Sequence, residues 1–210
     1  MLERPRPHAR YLILAASLVC LAQPAAASDP LPLPTIDYEA TATLFGGGTV
    51  VSRHSKGSFR LEMTMPGVPQ AIVSIIDAKA RRMLMVLPIP GMPAAFEMEL
   101  GNEPDQGIVV GRGRRIATAT VAGEPCELWE IEPPAEAGRT GTATACLGRD
   151  QIPLRVEATI DGKRQVVFEI TELKRVPQDP KSFVLPSNLA VMKIRREDLR
   201  IPGLPARPKQ

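Results

Sequence analysis

Short segments in which apolar and polar residues alternate make up most of this chain, and turn residues separate them. Alternation with a period of two is typical of a β-strand with one buried face. Such segments run from residue 36 to residue 194, and only 77–82 and 179–183 suit single helical turns. We therefore predict a mainly β protein with little helix, built as a strongly curved antiparallel sheet or half-open β-barrel. The predicted strands cover residues 36–45, 49–54, 58–65, 71–76, 83–87, 94–100, 116–121, 125–132, 152–158, 163–171 and 189–194.

The apolar positions of two hairpins predict which residues pair across the strands. In the first, a three-residue loop at 55–57 ending in glycine fits a type I turn with a G1 bulge. It pairs Val51 with Leu61 and Thr49 with Met63, on the face that also carries Phe59.

In the second hairpin, a two-residue turn at 161–162 would place Val156 opposite Val167. A three-residue loop pairs Val156 with Val166 and Leu154 with Phe168, which keeps apolar residues on one face. We predict the second register, because a slip of one residue moves every side chain to the other face.

The first 27 residues have the three parts of a secretory signal peptide. Three arginines precede a short apolar run at 11–21, and alanines at 25–27 provide a cleavage site. The run is much shorter than the ~20 residues needed to cross a bilayer. Val19 rather than a small residue precedes Cys20, which argues against lipid attachment at that cysteine. The style of the signal is bacterial, so we expect a periplasmic protein.

The rest of the chain reads as one domain. We expect a cleaved signal at 1–27, an extended proline-rich lead-in at 28–35, one domain at 36–194 and a flexible proline-rich tail at 195–210. Removing the signal takes away three of the 26 basic residues and one of the 23 acidic residues, which leaves a net charge near +1. Nucleic-acid binding depends on many Lys and Arg, so this class of partner is excluded.

Only two cysteines, Cys126 and Cys146, remain after the signal. An even pair in an oxidising compartment predicts a disulfide. Placing the two cysteines directly opposite each other sets Leu128 against Thr144 and makes the disulfide a clamp within one hairpin, with Trp129 on the other face. Closing a loop of this size stabilises the fold by roughly 3 kcal/mol in the chain-entropy model.

No catalytic set of residues emerges, and we predict that the protein is not an enzyme and carries no cofactor. The one histidine of the mature chain, His54, falls near a hairpin tip among basic residues, so we expect it on the surface. The glycines at 46–48 precede β-branched residues and predict a turn. The bare G-x-G within 107–115 lacks a strand leading into a helix, so we expect a solvated loop there.

Methionine is the notable surplus. Two M-x-M pairs, Met63 with Met65 and Met83 with Met85, each place two thioethers on one strand face. Thioethers are soft ligands that suit Cu(I), whereas methionine also fills irregular apolar interiors and adaptable binding surfaces. Both interpretations stay open, and we assign no metal site. The tentative ligand-binding residues are Phe59, Leu61, Met63, Met65, Met83 and Met85.

Six stretches of the chain carry a resemblance to a known family: residues 59–63, 75–77, 122–129, 145–147, 152–154 and 183–186. Together they resemble the uncharacterised exported bacterial domains related to the lipoprotein-localisation carriers LolA and LolB. The fairly specific features are the A-G-x-x-C … C pair and a terminal F-x-x-P. The resemblance implies a LolA-like half-open barrel whose hollow accepts acyl chains, and it supplies no catalytic residue.

We therefore expect a non-catalytic periplasmic protein that binds a hydrophobic or lipidated ligand, such as a lipoprotein acyl chain, on the concave apolar face of its sheet. Two alternatives remain: a Cu(I)-binding or envelope-stress module that uses the M-x-M pairs, and a structural or interaction protein of the cell envelope. Association with a membrane surface and the oligomeric state stay open.

Overall fold

A computed structural model describes residues 28–87, 94–100, 111–132, 143–160 and 162–195. Its elements are 13 β-strands and a single 3₁₀ turn at Pro180–Phe183, which Asp179 caps by accepting from the Lys181 N–H. The predicted signal peptide, Cys20 and all but the first residue of the predicted tail lie outside the described residues. The strands are β1 (Asp29–Pro30), β2 (Tyr38–Leu44), β3 (Gly48–Ser55), β4 (Ser58–Thr64), β5 (Ile72–Asp77), β6 (Arg82–Val86), β7 (Ala94–Glu99), β8 (Arg112–Val121), β9 (Glu124–Ile131), β10 (Ala143–Gly148), β11 (Pro153–Ile160), β12 (Lys163–Lys174) and β13 (Ala190–Lys193).

All 13 strands belong to one sheet, in the order β1-β8-β9-β10-β11-β12-β2-β3-β4-β5-β6-β7-β13. Strands β2–β7 form one antiparallel meander and β8–β12 another, and the pairing of β12 with β2 joins the two. At the two ends of the sheet, β1 pairs with β8 and β13 pairs in parallel with β7. The predicted fold class, a mainly β protein with one large, open and strongly curved sheet, is confirmed.

The curvature brings the inner faces of both meanders into one hydrophobic core. A single cluster of buried side chains contains Tyr38 of β2, Met85 of β6, Cys126 of β9 and Phe168 of β12. Strands at opposite ends of a sheet share a core only when the sheet bends over its own apolar face. The short alternating strands of the sequence therefore bury one face each against the same interior.

The first hairpin differs from its predicted register by one residue. Ser55 pairs with Ser58, so only Lys56 and Gly57 form the turn, and Val51 lies opposite Glu62 rather than Leu61. Both turn residues have positive φ, 53° and 90°, which is the conformation of a type I′ turn. The predicted G1 bulge was wrong, because it assumed that Val51 belonged to the buried face.

The second hairpin also differs from its predicted register. Ile160 pairs with Lys163, so two residues connect β11 and β12, and a bulge at Val167 then shifts the pairing to place Val156 opposite Phe168. Both of these residues are buried at 2% exposure or less. The prediction correctly required apolar residues on one face, but a bulge rather than a longer loop achieves this.

The disulfide between Cys126 and Cys146 is present, with a Cα–Cα distance of 5.5 Å. Its predicted register was wrong: Cys126 pairs with Gly148 and Leu128 pairs with Cys146. The two cysteines therefore lie diagonally across β9 and β10, still within one hairpin. The clamp joins the two strands as predicted, but with an offset of two residues that preserves the side-chain face.

The basic G-x-G segment is not a loop over its described part. Strand β8 begins at Arg112, and Gly113 pairs with Ile131 of β9 and with Asp29 of β1. A Cβ on Gly113 would lie 2.5 Å from the backbone oxygen of Glu130, so the glycine permits a close approach of two strands. The lead-in continues this edge, because the Leu31 N–H donates to the Gly111 carbonyl.

Candidate functional site

The candidate site is the inner face of β2–β7, formed by every second residue of these strands. Side chains in register form three rows across the sheet, and these three rows are called the inner face below. The first row is Tyr38, His54, Phe59, Ile76, Met83 and Met98; the second is Ala40, Ser52, Leu61, Ser74, Met85 and Phe96; the third begins Ala42, Val50, Met63 and Ile72. The opposite face carries Glu39, Arg53, Arg60 and Glu62 on β2–β4, but Val73 and Ile75 on β5 and Leu84 on β6.

The structure brings five of the six predicted ligand-binding residues together on the inner face. Phe59, Leu61, Met63, Met83 and Met85 have exposures of 1%, 0%, 6%, 5% and 1%. Met65 lies just beyond the end of β4 and is half-buried. The face is therefore packed core in this structure, and any ligand must displace some of these side chains to reach it.

The predicted surface position of His54 was wrong, because the side chain is 1% exposed. Its ring lies between Tyr38 and Phe59, with centroid distances of 5.6 and 4.6 Å. The alternation Val50, Ser52, His54 follows the buried face of β3, but two of its three members are polar. A correct two-residue turn at Lys56–Gly57 would have placed His54 opposite Phe59 and revealed its burial.

Both ring nitrogens of His54 are hydrogen-bonded. The Gly57 N–H donates to Nε2 at 3.0 Å, so Nε2 carries no proton. Nδ1 therefore carries the proton and donates to the Ile36 carbonyl oxygen at 2.8 Å. Burial lowers the pKa of His54, against smaller opposite effects of Ile36 and Asp37. This geometry fits only the neutral imidazole, and it connects the β3–β4 turn to the segment that precedes β2.

Three hydroxyl groups complete the polar content of the inner face. Burial raises the pKa of Tyr38, whose hydroxyl pairs with the Ser52 side chain. Ser52 is 2% exposed and Ser74 is 0% exposed. Within the described parts of the chain, the Ser74 Oγ has no hydrogen-bond partner. The inner face thus presents one unpaired hydroxyl within apolar surroundings.

The methionine pairs do not converge on one point. Met63 and Met85 lie on β4 and β6, with β5 between them, and belong to different rows. The directly opposed methionines are Met83 and Met98 on neighbouring strands. Within the described ranges, no group of three or more His, Cys, Asp or Glu side chains is placed to hold a metal ion. The copper hypothesis stays a prediction.

Ion pairs connect neighbouring strands on the outer face of β2–β4, which is the side opposite the inner face. Arg53 of β3 donates to Glu39 at 2.8 Å and to Glu62 at 2.9 Å. Arg60 of β4 donates to Glu62 and to the Ser182 carbonyl of the 3₁₀ turn. The hydrogen bond from Arg60, with the nearby Arg53, lowers the pKa of Glu62. Because these contacts hold the charged side chains on the outer face, the alternate residues of the same strands lie on the inner face.

Comparison with known proteins finds a low-identity likeness to solved structures only. The chain matches no protein-family model and no curated protein sequence. Among solved structures, it is similar to MucB, at 13% identity and a TM-score of 0.44, over 75% of this chain and 60% of that one. The complex structure of Pseudomonas aeruginosa MucA/MucB gives 15% identity and a TM-score of 0.41, over 80% of this chain and 62% of that one. NE2245, a LolA superfamily protein from Nitrosomonas europaea, gives 9% identity and a TM-score of 0.38, over 74% of this chain and 93% of that one.

This chain spans about 60% of the length of the MucB chains it matches. The likeness assigns no ligand or partner to this chain. Across the described ranges, no helix is long and apolar enough to cross a membrane.

Proposed function

We propose that this protein is a non-catalytic periplasmic protein that binds a hydrophobic or lipidated ligand on its inner face. The observation that carries the proposal is the composition of that face: rows of apolar side chains, three of them methionines on β4 and β6, with no ionised side chain among its buried residues. Methionine side chains are unbranched and flexible, so they can move aside and repack around an acyl chain.

The hydrophobic effect supplies the free energy. An acyl chain gains about 0.8 kcal/mol for each methylene group removed from water. The side chains that it displaces exchange contacts with each other for contacts with the chain, so they stay out of water. Binding is favourable when the free energy gained by burying the ligand exceeds the free energy needed to open and order the inner face.

The test is to purify the protein from periplasm and to identify bound molecules by native mass spectrometry and lipid extraction. We expect co-purifying lipid or acyl species, and binding of fluorescent fatty-acyl probes after their removal. Protein that is empty and has no affinity for such probes would contradict the proposal.

Two matched variants locate the site. Met63→Gln introduces an amide into the inner face, whereas Met192→Gln changes a 39% exposed methionine on β13. We expect acyl-probe affinity to fall in the first variant and to stay at the wild-type value in the second. Thermal unfolding of both variants confirms that the folded protein is being compared. Equal probe affinities would place the ligand elsewhere.

A further inference from the structure

The unpaired hydroxyl of Ser74 is the least expected feature of the inner face. Ser74 lies in the middle of β5, between Leu61 of β4 and Met85 of β6, with Ile72 and Ile76 on either side along its own strand. All four neighbours are apolar and buried. A hydroxyl in such surroundings is unfavourable unless it forms a hydrogen bond.

Other buried polar groups of this face already have partners. Ser52 pairs with Tyr38, and both nitrogens of His54 are hydrogen-bonded. The other unpaired side-chain atoms, on Trp129, Gln151 and Arg155, belong to partly exposed residues. Ser74 therefore has a hydroxyl available to a ligand, at the centre of the surface proposed to hold one.

The charge of the surroundings limits what this hydroxyl can bind. The buried polar residues of the described chain are Ser52, His54, Ser74 and Thr144, and the hydrogen bonds of His54 require its neutral form. A carboxylate or phosphate placed beside Ser74 would have no buried cation to compensate its charge. An uncharged oxygen avoids this desolvation cost.

We propose that Ser74 Oγ donates a hydrogen bond to an uncharged oxygen of the bound ligand. The inner face then prefers esters, amides or alcohols of apolar chains over plain hydrocarbons and over ionised fatty acids. This inference rests on the proposed function, because it assigns the chemistry of the ligand at the same site.

The experiment compares three probes with chains of similar length: methyl decanoate, decanoate and undecane. Each displaces the apolar fluorophore N-phenyl-1-naphthylamine from the mature protein at about pH 8, where decanoate is ionised. We expect methyl decanoate to bind about fivefold more tightly than undecane, as one net hydrogen bond allows. Decanoate is expected to bind at least tenfold more weakly than its methyl ester, because its charge is unpaired.

Ser74→Ala is expected to bring the affinity for methyl decanoate down to that for undecane, with the affinity for undecane unchanged. Ser74→Cys, which keeps the shape and offers only a weak donor, gives the same direction of change. Thr144→Ala is the control, since Thr144 is a buried residue of β10 outside the inner face whose hydroxyl oxygen already accepts from Arg164, and the variant leaves the ratio of the two affinities unchanged.

Stability provides a second readout. Removal of an unpaired buried hydroxyl leaves the empty protein as stable as the wild type or more stable. If Ser74→Ala instead unfolds more easily and the ester-to-alkane ratio stays the same, the hydroxyl has a structural partner such as water, and the inference is wrong. If neither the fluorophore nor any probe binds the wild type, the proposed function itself fails.

Discussion

Acidification tests the position of His54 in the core. A proton added to Nε2 removes its ability to accept from the Gly57 N–H, at present 3.0 Å away. Burial lowers the pKa of His54 in the folded protein, so the unfolded chain binds the proton more readily. Stability is therefore unaffected above the unfolded pKa of about 6.5 and falls as the pH decreases below it, towards the lowered folded pKa.

Linkage sets the size of the effect. One proton bound only by the unfolded state is worth about 1.36 kcal/mol for each pH unit. Between about pH 6.5 and pH 5, His54 can therefore remove up to about 2 kcal/mol from the free energy of unfolding. The nearby Asp37 carboxylate opposes the shift and keeps the loss below that limit.

Urea denaturation at several pH values, with His54→Phe as the comparison, checks this. Phenylalanine keeps a ring between Tyr38 and Phe59 but leaves the Gly57 N–H and the Ile36 carbonyl without their partner, at a cost of about 1–3 kcal/mol each. We expect a less stable variant whose stability falls less than that of the wild type between about pH 6.5 and 5. Equal slopes in wild type and variant would show that His54 is not buried as described.

Three further predictions concern elements that hold the sheet together. Replacing Cys126 and Cys146 by Ala removes a crosslink with a sequence separation of 20 and is expected to cost about 3 kcal/mol in urea denaturation; a double variant as stable as the wild type would refute this. Arg175→Met removes ion pairs to Glu124 and Asp150, and because the Arg175 side chain is 28% exposed we expect a loss of about 1 kcal/mol that shrinks at high salt. A loss independent of salt would point to packing instead. Gly113→Ala places a Cβ 2.5 Å from the Glu130 backbone oxygen and is expected to cost about 2 kcal/mol, so an unchanged midpoint of thermal unfolding would exclude that close contact.

Strand positions and fold class follow from the period of the apolar residues, since nearly every predicted strand of the described chain is present. The pairing registers are harder to predict, because different turn types and β-bulges are compatible with the same alternation of apolar residues. The bulge at Val167 and the type I′ turn at Lys56–Gly57 are examples. Each changes the pairing by one residue while strand content stays the same. A lysine with φ of 53° is uncommon, and nothing in the local sequence favours it over the three-residue loop.

The apolar part of the candidate site was predictable, whereas its polar part was not. Phe59, Leu61 and Met63 alternate clearly, and they share a buried face as expected. The burial of His54 depends on partners distant in sequence or hidden in a turn, namely the Ile36 carbonyl and the Gly57 N–H. Residue type alone favours the surface for a histidine among basic neighbours, so tertiary hydrogen bonds decide the outcome.

The two ends of the inner face differ in how easily they can open. Tyr38, His54 and Phe59 form a group of contacting rings with hydrogen bonds to the backbone and to Ser52, so moving this group breaks several interactions at once. On β6 and β7 the first two rows carry Met83, Met85 and Met98, with Phe96 at the end of the second row, and these three methionines have no such hydrogen bonds. Burying an apolar chain of about ten methylenes contributes about 8 kcal/mol, which can offset the free energy of repacking these methionines. Since Ser74 lies on β5, beside these methionines, the proposed hydrogen bond to a ligand falls in the region whose side chains have the fewest constraints on repacking.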